Sequence, residues 1–100
     1  MREYEVNCVI GFGRGESHES ITHVGNNREK WRLTIRSAIE RIEAGGDAFY
    51  TLGPDTGVKA YLGIVREAGR PPYLRAHVDG GWTDHLLALD WCNRDCRAFW

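Results

Sequence analysis

The feature that most constrains this chain is how often it is interrupted. Gly25-Asn26-Asn27, Gly45-Gly46, Gly53-Pro54-Asp55-Thr56-Gly57, Gly69-Arg70-Pro71-Pro72 and Asp79-Gly80-Gly81 divide it into short pieces, and each cluster has the chemistry of a turn. The pieces read chiefly as short strands joined by hairpin connections, with one helix in the piece between Asn27 and Gly45.

The pieces alternate as strands should. Tyr4, Val6, Cys8, Ile10 and Phe12 share one face of a first strand, with Glu5 and Asn7 on the other. Ile21 to Val24 reads as a second strand paired with the first as a hairpin, and Ala48 to Leu52, Val58 to Val65 and Tyr73 to Val78 as three more. The long piece is ambiguous, because Trp31, Ile35, Ala38, Ile39 and Ile42 lie on one helical stripe while Trp31, Leu33 and Ile35 also alternate. Leu33 decides it: on a continuous helix at about 100° per residue it would sit opposite the stripe. Lys30 to Leu33 is therefore extended, Thr34 caps a helix from Ile35 to Ala44, and Gly45-Gly46 ends it. Leu86 to Leu89 predicts a short helical turn closing the open end of the core.

With 100 residues there is room for one core, so residues 1–100 form a single domain. A composition of 42% hydrophobic and 27% charged residues is that of a folded globular chain and excludes disorder, collagen and coiled coil. The expected fold is α+β, in the order β-β-(β)-α-β-β-β. It has a mainly antiparallel curved sheet of about five strands packed on the helix Ile35 to Ala44. A small open barrel, or a longer helix absorbing Trp31 and Leu33, are the alternatives.

Several phrases recur together: His18-Glu19-Ser20-Ile21-Thr22, Thr34 through Ala38-Ile39 to Ile42-Glu43-Ala44-Gly45, Phe49-Tyr50-Thr51, Pro72-Tyr73-Leu74-Arg75, Asp79-Gly80, and Asp84-His85-Leu86-Leu87-Ala88-Leu89. In this order, over about residues 4 to 92, the chain resembles a family of small bacterial proteins catalogued as domain of unknown function three-eight-nine-two. It departs from that pattern at Ser20, where a second His tends to stand, and at Asp90-Trp91, where a proline tends to precede Cys92. The resemblance implies no activity, cofactor or catalytic residue to carry over.

Function has to be sought in the residues themselves. The formal charge of −1 puts no global field around the chain. The charged start Met1-Arg2-Glu3-Tyr4-Glu5 is not a signal peptide and no apolar run approaches the roughly 20 residues of a membrane span, so a cytoplasmic protein without a membrane partner is expected. Three cysteines leave one thiol unpaired; a disulfide framework is not expected, and Cys8 reads as an inert core thiol. Gly11-Phe12-Gly13-Arg14-Gly15 lacks the third glycine, where Glu16 stands, and the following helix that a phosphate loop needs, so it reads as a glycine-rich hairpin.

The most suggestive stretch is the last long strand, where Tyr73, Arg75 and His77 alternate with Leu74, Ala76 and Val78. With Asp79, Trp82 and Asp84 nearby, this polar-aromatic face is either a solvated sheet surface with a cross-strand ion pair or a binding site for a protein or small ligand. A non-enzymatic binding module is the first functional reading, with no cofactor and no metal. Two others compete. The basic stretch Arg28 to Arg41, with Lys30, Arg32, Arg36 and Trp31 inside it, is a candidate nucleic-acid surface. Cys92 and Cys96, with His77 or His85, supply part of a zinc or thiol enzyme site. Carboxylates Glu40 and Glu43 lie three apart on the helix, a spacing more typical of solvated surface than of acid–base catalysis. The adjacent aromatics Phe99 and Trp100 are expected to dock on their own domain or on a second copy, leaving a monomer or a homodimer.

Overall fold

The computed structural model describes residues 2–11 and 17–98. The expected glycine-rich hairpin and the docking of Phe99 and Trp100 lie outside the described residues. Within them the chain forms ten strands and one α-helix: β1 (Arg2–Glu5), β2 (Cys8–Gly11), β3 (Ile21–Asn26), β4 (Trp31–Thr34), α1 (Ile35–Glu43), β5 (Asp47–Leu52), β6 (Lys59–Val65), β7 (Tyr73–Val78), β8 (Gly81–Trp82), β9 (Asp90–Trp91) and β10 (Arg97–Ala98), with single 3-10 turns at His18–Ser20 and His85–Ala88.

The α+β class and the helix hold. The strands form two mixed five-stranded sheets rather than one curved sheet, in the orders β1-β5-β6-β7-β8 and β10-β4-β3-β2-β9. The first strand explains the split. Val6 N–H donates to the Tyr50 carbonyl at 2.7 Å, whereas Asn7 N–H donates to that of Gly25 at 2.9 Å, so the chain crosses from one sheet to the other within one residue. Strand β1 runs parallel to β5, and β2 runs antiparallel to β3 as the hairpin reading expects.

Trp31 and Leu33 are buried in β4, and Thr34 accepts a hydrogen bond from Ser37 N–H at 3.1 Å as the cap of α1. Gly45 follows the helix at φ +82°, the left-handed position that costs a side-chain-bearing residue most. The helix packs on β3, β4, β5 and β7, that is, on both sheets. Its Ala38 and Ile39 join Val24, Leu33, Phe49, Leu62 and Leu74 in one core. Leu86, fully buried in the second 3-10 turn, joins the same cluster, as its place after Asp79-Gly80-Gly81 suggests.

One expectation is corrected outright. Cys8 is not a lone thiol: it forms a disulfide with Cys92, 84 positions away, with Cα atoms 4.8 Å apart. The pairing depends on β9 adding parallel to β2, with Cys8 opposite Asp90 and Val9 opposite Trp91, a long-range contact that local spacing does not register. Cys96 is the unpaired, buried cysteine.

Candidate binding face on the first sheet

Strand β7 is built as its alternation requires. Leu74 and Ala76 are buried, while Tyr73, Arg75 and His77 are partly exposed on the opposite face. Asp79 and Gly80, at φ +51° and +82°, make the two-residue turn into β8. That turn sets Trp82 directly opposite His77, and their rings meet edge to face at 5.6 Å. Asp79 thus serves the turn that positions Trp82.

Register extends the face beyond what β7 alone reveals. Tyr61 of β6 lies opposite His77, and Tyr50 of β5 lies opposite Tyr61 with ring centroids 6.1 Å apart. Tyr50, Tyr61, His77 and Trp82 therefore form a row of four rings across four strands. Gly63 makes room at its end: a Cβ there would meet the Trp82 ring at 3.1 Å and His77 at 3.2 Å. Trp82 keeps 48% of its surface exposed. Tyr61 has a signal in the sequence, since it shares the parity of Lys59 in a strand whose other parity holds Ala60, Leu62 and Ile64; Tyr50 shares its parity with Ala48 and Leu52 and has none, and which strands are neighbours is a matter of pairing.

The charges on this face are committed within the chain. Arg75 donates to the Asp84 carboxylate at 3.0 Å and to the Thr83 carbonyl at 3.2 Å; Asp84 follows β8 rather than lying on a strand, so this is an ion pair from strand to loop and not a cross-strand one. His18 lies 3.9 Å from the same carboxylate. Its pKa is lowered by burial first and by Arg75 second, with Asp84 opposing. Lys59 donates to Glu3 at 2.9 Å and stands 4.5 Å over the Tyr50 ring, and the Tyr61 hydroxyl donates to the same Glu3 at 3.1 Å. Those two hydrogen bonds lower the Glu3 pKa, and the bond to Glu3 raises that of Tyr61. Tyr73 donates to Glu67 at 2.7 Å and is raised for the same reason. Both phenols stay protonated as donors at neutral pH.

Beside this face, Tyr73, Pro71 and Pro72 form one wall of a groove of about 560 Å³ whose other wall is Ile35 and Ile39 of α1, with Glu40, Glu43 and Arg66 around it. Glu43 pairs with Arg66 across it.

The other candidate residues fall elsewhere. In the basic stretch, Arg28 pairs with Glu5 at 2.8 Å, Lys30 with Asp95 at 3.5 Å and Arg41 with Asp47 at 2.8 Å, while Arg32 donates to the Cys96 carbonyl. His77 is engaged by Trp82, and His85 packs toward Gly53. The ligand-bearing side chains that converge among the described residues are instead Cys8, Cys92 and Cys96. No helix among the described residues is long and apolar enough to cross a membrane.

Two mixed sheets and one helix, with a row of four rings across one sheet, define a small α+β domain. The chain belongs to the family described as Protein of unknown function (DUF3892), whose model matches residues 5–90. No curated protein and no solved structure matches it.

Proposed function

We propose that the protein is a non-enzymatic binding module of the bacterial cytoplasm that holds a segment of another protein on the open face of the first sheet. The observation that carries this reading is the row Tyr50, Tyr61, His77 and Trp82 in register across four strands, with Trp82 about half exposed at its end. Rigid aromatic rings supply large contact area at low entropic cost, which is why Trp and Tyr dominate protein-binding surfaces. The charge pairing favours a polypeptide over nucleic acid: Lys59 and Arg75, the cations beside the rings, are already bonded to Glu3 and Asp84, and phosphate affinity requires cations free to replace counterions. Tyr61 and Tyr73, raised by their hydrogen bonds to Glu3 and Glu67, sit on the face as protonated hydrogen-bond donors.

The test is a titration of the domain with peptide and oligonucleotide panels, followed through backbone amide shifts. Peptides bearing aromatic or apolar side chains are expected to move residues 50, 61 and 73–84, and Trp82→Ala to weaken binding about tenfold or more. Shifts confined to residues 28–41 with oligonucleotides would replace this reading by the nucleic-acid one. A face that no peptide moves overturns it.

A further inference from the structure

Three sulfur atoms meet at the second sheet, one from the start of the chain and two from near its end. Cys8 lies on β2, Cys92 directly follows β9, and Cys96 precedes β10; their Sγ atoms all lie within 4.8 Å of one another. Cys8 and Cys96 are almost fully buried, at 0% and 1% exposure, and Cys92 is half-buried, leaving an approach from one side. A bridge that only fastens β2 to β9 has no use for a third buried sulfur, and a thiol within reach of a disulfide exposes it to exchange. One metal ion uses all three. Zinc bound to thiolates at about 2.3 Å holds its sulfurs roughly 3.8 Å apart, a spacing that fits inside the 4.8 Å within which these three sulfurs lie.

We propose that reduction of the Cys8–Cys92 disulfide opens a three-cysteine site, Cys8, Cys92 and Cys96, for a single zinc ion. A dithiol reductant supplies two electrons and two protons. The Cys8–Cys92 bond breaks, two thiols form, and the sulfurs of the reductant join in its own disulfide. Zinc then forms three Zn–S bonds as the three thiol protons leave to solvent. Reduced thiols are the rule in the cytosol, where grouped cysteines are more often metal ligands than bridges. The surroundings suit a thiolate cluster. Asn27 Oδ1 accepts from the Cys96 thiol at 3.3 Å and from Asn93 N–H at 2.7 Å, so a polar side chain borders the cluster. Three thiolates and Zn²⁺ leave one negative charge, and Arg32, hydrogen-bonded to the Cys96 carbonyl, sets a guanidinium next to it. Gly25 keeps the backbone of β3 close against the cluster, since a Cβ there would meet Cys92 Sγ at 3.1 Å and collide with the Trp31 carbonyl. In the oxidised chain two of the three ligands are consumed by the bridge, so metal occupancy follows the redox state.

The full chain, reduced with a phosphine and freed of metal, is titrated with zinc by equilibrium dialysis and elemental analysis, and with cobalt(II) to read thiolate-to-metal charge transfer. One zinc per reduced chain, an intensity corresponding to three thiolates, and less than about 0.1 zinc per oxidised chain are expected. Cys96→Ser, which leaves the disulfide able to form and so can be checked for folding in the oxidised state, is expected to lower zinc affinity of the reduced chain about a hundredfold or more. A folded reduced chain that takes up no zinc, a reduced chain that zinc does not return to the folded state, or a Cys96→Ser variant that binds as tightly as the parent each overturns the proposal.

Discussion

At the scale of single residues, Asn26 does what no apolar side chain could in its place. It is buried to 1% exposure where β3 turns into β4. Its Nδ2 donates to the Glu5 carbonyl at 2.9 Å, and its Oδ1 accepts from Arg28 N–H and Glu29 N–H, both at 2.9 Å. One amide thus ties the β3–β4 turn to the strand that crosses between the sheets. Asn26→Ala leaves three backbone groups without partners, each carrying a desolvation cost of about 1 kcal/mol or more. The expected loss is about 2 to 4 kcal/mol, read as a lower denaturant midpoint with an unchanged slope.

Among the elements, α1 shows how little its cap and stop leave to chance. Thr34 is extended and its hydroxyl takes the Ser37 N–H, which the exposed first turn would otherwise leave to water. Thr34→Ala is expected to cost about 1 kcal/mol in the same denaturation measurement, while Thr34→Ser keeps the acceptor and most of the stability. Strand β8 illustrates the opposite case. Its two residues have no periodicity to detect, yet the Asp79-Gly80 turn makes them a strand and brings Trp82 onto the face.

For the molecule as a whole, the bridge and the histidines set how stability responds to conditions. The Cys8–Cys92 disulfide closes a loop of 84 positions, and cross-linking a loop of that size stabilises by about 4.5 kcal/mol in the chain-entropy account. Reduction in the absence of zinc is therefore expected to lower the thermal midpoint by many degrees, and the loss is measurable by melting with and without a phosphine. Acid acts through His18 and His23. Burial is the first cause that lowers each pKa, with Arg75 adding to it for His18 and Arg32 for His23. Because the folded pKa values lie below the unfolded value of about 6.5, the unfolded chain binds protons first, so their contribution is complete above that pH and is lost as pH falls through the folded values. A double variant His18→Gln, His23→Gln is expected to flatten the dependence of unfolding free energy on pH below about 6.5; an unchanged slope would place the acid sensitivity elsewhere.

What the sequence determined by itself is what depends on near neighbours. Strand β7 was legible to the residue from alternation between turn clusters, and Leu33 placed β4 and the start of α1 by phase alone. Tyr73, Arg75 and His77 could be set on one face because a period of two is a local property, while Trp82 could only be placed nearby in sequence. Tertiary structure decided what depends on distant partners. Adding β9 to β2 made a disulfide of Cys8 and Cys92 and brought Cys96 beside it. Pairing β5 with β6 and β6 with β7 lengthened the aromatic row to Tyr50 and Tyr61. The crossing at Val6 and Asn7 divided one sheet into two. Each of these joins residues far apart in the chain, where the preference of a strand for its partner lies in side-chain contacts and register across the gap, and the period of the strand itself carries no information about them.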